Sequence, residues 1–238
     1  MKSKAEILNE VVQAEMNKAE KARMEAALSP AEHAAGIKVV EKDGKLYYDY
    51  TDVINKRLEA VLSEFQARRI NYLGADELTL YGFVKALYDH SAGMVLNPIN
   101  GTTNDYGNLI WFATQVGIGC PWDVKRVDPW QTQFGDLRMP TFWGDNAHPE
   151  LDEIILYRGV EMTRETLGNV TYGYLGSAMN ISETMLFMAG GAVEVVSAED
   201  HLSQLWRFLI DDQHFGEPLK DHISVQFGVN AYHEDQAK

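Results

Sequence analysis

Residues 165–176 read Glu-Thr-Leu-Gly-Asn-Val-Thr-Tyr-Gly-Tyr-Leu-Gly, and this stretch predicts a helix with two kinds of surface. In helical geometry one face carries an amide, a phenol and two positions without side chains, namely Asn169, Tyr172, Gly173 and Gly176. A glycine inside a helix costs about 1 kcal/mol relative to alanine, so we expect another chain to approach this face closely. That chain is either a neighbouring helix or a substrate polymer.

Glu165 lies one helical turn before Asn169 on the same face. A carboxylate that opens into a groove can act as a general acid or base. If a substrate polymer lies across the glycines, Asn169, Tyr172 and Tyr174 would hold it by hydrogen bonds. The segment therefore predicts a catalytic Glu165 beside a substrate-binding surface.

Residues 121–125, Pro-Trp-Asp-Val-Lys, place an acid and a base two positions apart after a rigid Pro-Trp turn. In an extended segment Asp123 and Lys125 would point the same way. One interpretation makes Trp122 a core residue beside a solvated ion pair. The other adds Asp123 and Lys125 to the catalytic groups and gives Trp122 to substrate binding.

A third segment contains acidic residues and histidines: Asp211, Asp212, His214, Asp221 and His222. These types can hold a hard metal ion, but their spacing matches no metal-binding signature. An acidic loop, with Asp221 near the N-terminus of the last helix, explains most of the pattern. We therefore predict no metal or other cofactor, and we assign Asp221 as the catalytic partner of Glu165.

The remaining sequence predicts a mainly α, multi-helix globular domain with a small β-hairpin and a long N-terminal helix. The N-terminal helix is expected over 3–35 and the hairpin around Asp43-Gly44, a dipeptide that favours a type I′ turn. Further helices are predicted at 52–73, 76–92, 105–116, 161–179, 181–197, 198–210 and 219–232, with a long loop at 121–149. We divide the chain into a helical arm with the hairpin, 1–75, which would serve delivery, and a catalytic domain, 76–238.

The net charge of −14 is unevenly distributed, because residues 140–238 hold 16 acidic and only 5 basic side chains. Nucleic-acid binding needs clustered Lys and Arg, so this half favours other substrates. The single cysteine, Cys120, excludes an internal disulfide. The sequence predicts neither a signal peptide nor a membrane span.

Three motifs, taken in order, resemble the polymorphic toxin type 44 family over about residues 108–232. They are Trp122-Asp-Val-Lys125, then Glu165-x-x-Gly-Asn-x-x-Tyr-Gly-Tyr174-x-Gly176, then Asp221 ahead of Gly228 and Tyr232. In that family the first motif commonly has an aromatic residue where Val124 stands here, and the second begins with Asp where Glu165 stands. Glu reaches one methylene further than Asp.

The resemblance implies an interbacterial toxin, exported without a signal peptide by a machine such as type VI secretion. A cognate immunity protein and a secretion-machine or chaperone component would be its partners. The family does not define the substrate. Carboxylates, tyrosines and an amide favour a hydrolase of cell-wall glycan (peptidoglycan) acting in the periplasm. An RNase acting in the target cytoplasm is the first alternative, and a non-catalytic binding or adaptor module is the second.

Overall fold

The computed structural model describes residues 3–68, 112–113, 115–143, 152–197 and 218–238. These residues contain seven helices and one four-stranded sheet, which confirms the mainly α prediction. The helices are α1 (Lys4–Ala26), α2 (Pro30–Ala35), α3 (Thr51–Arg68), α4 (Val127–Phe134), α5 (Arg164–Ala178), α6 (Glu183–Ser197) and α7 (Leu219–Gln236). The strands are β1 (Lys38–Lys42), β2 (Lys45–Asp49), β3 (Ile155–Tyr157) and β4 (Val160–Met162).

The predicted helix over 3–35 is two helices, α1 and α2, and the prediction of one continuous helix is wrong. Pro30 cannot donate to the carbonyl one turn back, so α1 ends and a new helix begins at Pro30. Ser29 caps α2 by accepting the Glu32 N–H at 3.2 Å. Gly36 ends α2 with a φ of 101°, as its position in the sequence predicts.

α1 contributes no buried residue. Its large apolar side chains remain exposed: Ile7, Leu8, Val11, Val12 and Met16. With 23 residues, α1 confirms the prediction of a long N-terminal helix.

The predicted hairpin is present, and Asp43 and Gly44 take the positive φ angles that its turn needs. β1 and β2 pair antiparallel, and β2 also pairs in parallel with β3 through Asp49 and Leu156. β3 and β4 were not predicted, because strands of three residues are too short to show an alternating pattern. The sheet order is β1-β2-β3-β4.

The chain divides into two compact units, 1–57 with 134–164, and 58–133 with 165–238. The first unit contains the sheet, and the hairpin shares it with residues 155–162. The predicted division at residue 75 falls within 69–100, outside the described residues, and stays a prediction. The predicted helices 76–92 and 198–210 also lie outside them.

In the second unit, helices α5, α6 and α7 follow the predictions closely. Ser182 caps α6 by accepting the Met185 N–H at 3.3 Å. The expected loop at 121–149 is partly wrong, because α4 lies inside it. Pro129 is tolerated because the first turn of a helix leaves its N–H groups without helical partners.

The second unit has its own buried apolar core. It includes Trp122, Val124, Trp130, Leu167, Val170, Leu175, Leu186, Val225 and Val229. Among the helices that the structure describes, none has the length and apolar character needed to cross a bilayer.

Candidate active site

α5 and α7 contact each other at their N-terminal ends and at their glycines. Glu165 contacts Lys220 and Asn169 contacts Asp221, while Gly173 lies against Val225. Their first turns therefore lie together. The positive ends of two helix dipoles meet there, which favours negatively charged groups at this point.

Two polar contacts join the N-terminal ends of the two helices. The Asn169 Nδ2 donates to Asp221 Oδ1 at 2.7 Å, and the Lys220 Nζ donates to Glu165 Oε2 at 3.0 Å. The side chain of Glu165 is 18% exposed and that of Lys220 is 48% exposed. The structure thus brings Glu165, Asn169 and Asp221 together, as the sequence analysis expected.

Lys125 approaches the same place from outside the two helices. A Cβ atom added at Gly168 would lie 2.7 Å from Lys125 Cγ, so the absence of a side chain at Gly168 leaves room for the lysine stem. Lys125 also acts electrostatically on Asp221. Segments that are far apart in sequence therefore contribute to one cluster, which comprises Lys125, Glu165, Asn169, Lys220 and Asp221.

Burial raises the pKa of Asp221 above its ordinary value, and the nearby Glu165 carboxylate raises it further. The positive charges of Lys125 and Lys220 and the hydrogen bond from Asn169 act in the opposite direction. Burial is the largest of these effects. A carboxyl group in this environment retains its proton to higher pH than an exposed aspartate does.

Asp123 forms its polar contacts with residues outside the cluster. It is buried, accepts the Gly119 N–H at 2.8 Å, and forms an ion pair with Arg126. Residues 119–126 form turns rather than the extended segment considered above, so Asp123 closes its own turn while Lys125 lies along Gly168. The catalytic role of Asp123 stays a prediction, and its contacts are those of a residue that orders the turn.

Trp122 is 3% exposed and belongs to the core, as the first interpretation of its segment expected. Tyr172 donates its hydroxyl to the Leu186 carbonyl at 2.8 Å, and Tyr174 donates to Asp235 at 3.1 Å. Both phenols therefore join α5 to neighbouring helices. Their proposed role in substrate binding is not tested by these contacts.

The glycines of α5 are covered by neighbouring helices. A Cβ at Gly173 would overlap the Val225 carbonyl oxygen, and a Cβ at Gly176 would overlap the Leu186 side chain. Gly228 of α7 allows the reciprocal approach to Val170. Of the two alternatives that the sequence left open, the close approach at Gly173 and Gly176 is made by a helix.

Sequence reasoning did not identify Lys220 as part of the cluster. It could have been found from its position, because Lys220 and Asp221 are neighbours in the first turn of the predicted helix 219–232.

The metal hypothesis involves residues of which only two are described. Asp211, Asp212 and His214 lie outside the described residues. Asp221 is bonded to Asn169, and the His222 ring stacks on Phe187 with centroids 3.9 Å apart. Among the described parts of the chain, no group of three His, Cys, Asp or Glu residues could hold a metal ion.

Comparison with known proteins gives one match. No curated protein and no solved structure is similar to this chain. The model of the bacterial toxin 44 family matches residues 111–234, which include the Trp122–Lys125 segment, the whole of α5 and most of α7. The match covers more than half of the chain and contains every residue of the cluster. The chain belongs to the bacterial toxin 44 family.

Proposed function

We propose that this toxin is a hydrolase that cuts the glycan of the bacterial cell wall, with Glu165 and Asp221 as its acid and base. The observation that carries the proposal is that both carboxylates lie at the N-terminal ends of α5 and α7. There Lys220 donates to Glu165, Asn169 donates to Asp221, and the charge of Glu165 acts on Asp221. Glycosidic hydrolysis commonly uses two carboxyl groups, one protonated and one ionised. Partial burial favours the protonated form of Asp221, as a general acid requires.

The charge of the protein supports a glycan as substrate. Residues 140–238 carry 11 more acidic than basic side chains and contain both carboxylates. A polyanion would be repelled by this surface, whereas a glycan can bind through hydrogen bonds and apolar contacts. Asn169 supplies an amide at the carboxylate pair for such a bond.

An RNase remains the second candidate because two lysines lie at the carboxylates. Lys220 pairs with Glu165, and Lys125 acts on Asp221. Cations of this kind can stabilise the charge that develops on a phosphate during cleavage.

Purified protein should be incubated in parallel with cell-wall sacculi and with total RNA. The wild type should release soluble glycan fragments from sacculi and leave RNA intact, whereas the double variant Glu165→Gln/Asp221→Asn should release no fragments and also leave RNA intact. Glu183→Gln is the matched control, since Glu183 is an exposed carboxylate in the first turn of α6. RNA cleavage that the double variant loses would instead establish the nuclease.

Expression in a sensitive host identifies the compartment. The protein should kill when a periplasmic leader is attached and be harmless without one. Killing by the leaderless protein would contradict the cell-wall proposal. Killing that the double variant retains would favour the non-catalytic binding module.

We also propose the partners that a secreted toxin requires. These are a cognate immunity protein that covers the carboxylate pair, and a secretion-machine or chaperone component, such as one of a type VI system, that contacts the N-terminal region. The exposed apolar side chains of α1 suit the second role. Deleting residues 3–26 should then abolish delivery between cells while the purified protein keeps its activity.

A further inference from the structure

α1 has two faces, and one of them contacts the sheet of the first unit. The half-buried residues of α1 recur every three or four positions, at 17, 20, 21 and 24, which is one face of a helix. Asn17 of this face donates to Glu41 of β1 at 3.5 Å, and the Met24 carbonyl accepts the Tyr48 hydroxyl at 3.4 Å. These contacts leave the other face of α1 in solvent.

The exposed face of α1 carries a seven-residue repeat, which we call the outer stripe. Its positions alternate at spacings of three and four, and all six side chains are exposed: Leu8, Val11, Glu15, Lys18, Ala22 and Glu25. Leu8 is 63% exposed and Val11 is 56% exposed. This spacing is typical of a helix that packs against another helix in a coiled coil.

The two central charges of the outer stripe indicate which helix covers it. Within the described part of the chain, the side chains of Glu15 and Lys18 form neither an ion pair nor a hydrogen bond. If two copies of α1 lie antiparallel with Glu15 opposite Lys18, this ion pair forms twice, once on each side of the centre. The same register places Val11 of each copy opposite Ala22 of the other, so that a larger apolar side chain meets a small one.

The alternative orientation lacks this complementarity. In a parallel pair Glu15 would lie beside Glu15 and Lys18 beside Lys18, and like charges at such positions are repulsive. The antiparallel pair has one less favourable layer, because Leu8 faces Glu25 at each end. We therefore expect a weak dimer, whose population depends on the protein concentration.

We propose that α1 is a dimerisation helix, and that its outer stripe binds the outer stripe of a second copy of this chain in antiparallel orientation. The inference goes beyond the proposed function and does not depend on it, since the carboxylate cluster takes no part. The secretion component proposed to contact α1 would have to displace the second copy.

Light scattering over a range of concentrations of the full chain tests the association. The wild type should approach twice the monomer mass as its concentration rises. Lys18→Glu places two carboxylates opposite each other in both central layers, so it should raise the Kd of the dimer by about 10-fold or more. The exchange Glu15→Lys/Lys18→Glu restores opposite charges and should restore the dimer. Lys45→Glu is the matched control, since Lys45 is an exposed lysine of β2.

Cysteine cross-linking tests the orientation, in a background in which Cys120→Ser removes the native thiol. Val11→Cys and Ala22→Cys should form an intermolecular disulfide only when the two variants are mixed, because a disulfide needs Cα atoms about 4.4–6.8 Å apart. A disulfide between two copies of Val11→Cys would establish a parallel pair and overturn the proposal. A monomer at every concentration, or an unchanged Kd for Lys18→Glu, would overturn it as well.

Discussion

The same two helices, α5 and α7, meet in different ways at their first turns and along their middles. At the first turns, side chains of opposite or complementary polarity fill the space between them, with Asn169 on Asp221 and Glu165 on Lys220. One turn further, Gly173 and Gly228 bring backbone against backbone. The side chains at the first turns can form hydrogen bonds and exchange protons, whereas the glycine contact leaves no room for a side chain.

The glycine contact between α5 and α7 helps to set the positions of the side chains at their first turns. Because the glycine contact permits little sliding, the positions of Glu165 and Asp221 follow from the alignment of the two helices. The Glu165–Lys220 ion pair contains a half-exposed lysine, so it contributes modestly to stability. We therefore expect substitutions in the first turns to change activity, and substitutions at the glycines to change stability.

The largest effect is expected at the carboxylates. Glu165→Gln and Asp221→Asn keep the size of each side chain and remove its proton chemistry, so each should lower the rate by about 100-fold or more. Initial rates of release from sacculi measure this. Thermal unfolding should show little change for either variant, and loss of the folded state would mean that the first turns are structural after all.

The next largest effect is expected at Gly173. An added methyl group would overlap the Val225 carbonyl oxygen, which is backbone and cannot rotate away. Gly173→Ala should therefore lower the free energy of unfolding by about 2 kcal/mol, despite the better helix propensity of alanine. In a chain of this length that corresponds to a Tm lower by about 4–8 °C. An unchanged Tm would show that α7 can move away from α5.

The sequence predicted α5 and α7 and the residues that share one face of α5, because local patterns specify them. The spacing of Asn169 and the glycines on one face, and the dipeptide Asp43-Gly44, each specify local geometry without reference to the rest of the chain. Which chain would cover the glycines could not be predicted, since that depends on packing between distant segments. β3 was missed because three residues show no alternating pattern, and its pairing with β2 joins residues far apart in sequence.

The roles of the candidate site residues stay predictions. Residue type indicated Glu165 and Asp221, but the partner of each carboxylate depends on the tertiary arrangement. Asp123 illustrates this point, since its Arg126 and Gly119 contacts arise from a turn that the sequence did not reveal.

A smaller effect is expected at Gly168. It lies in the same helix as Gly173, but it faces the flexible side chain of Lys125. Gly168→Ala would displace the Lys125 stem rather than backbone. The Tm should stay constant or rise, because alanine favours the helix by about 1 kcal/mol. The rate should fall less than 10-fold as Lys125 moves from Asp221. A fall in Tm equal to that of Gly173→Ala would contradict the contrast between the two contacts.

The smallest effect concerns the dependence of stability on pH. Because the pKa of Asp221 is raised in the folded state, that state retains a proton that the unfolded chain has lost, between about pH 3.9 and the raised value. Stability due to this group therefore falls as pH rises through that window. The Tm of Asp221→Asn minus that of the wild type should therefore increase as the pH is raised from below 4 to 7.

Asp128→Asn is the control for this comparison, since it removes an exposed charge from the first turn of α4. Its Tm difference from the wild type should not follow the same trend. A constant difference for Asp221→Asn as well would show that burial does not disfavour the charge of Asp221.

β2 and β3 lie far apart in the chain, so their parallel pairing can form only late during synthesis. Thr51, just after β2, accepts the N–H of Arg158, 107 positions later in the chain. At the usual rates of synthesis the hairpin waits about 5–20 s for its partner strand to be made. Asp221 is added later still. The Glu165–Asp221 pair therefore cannot form on the ribosome until Asp221 has been added, after both strands have been made.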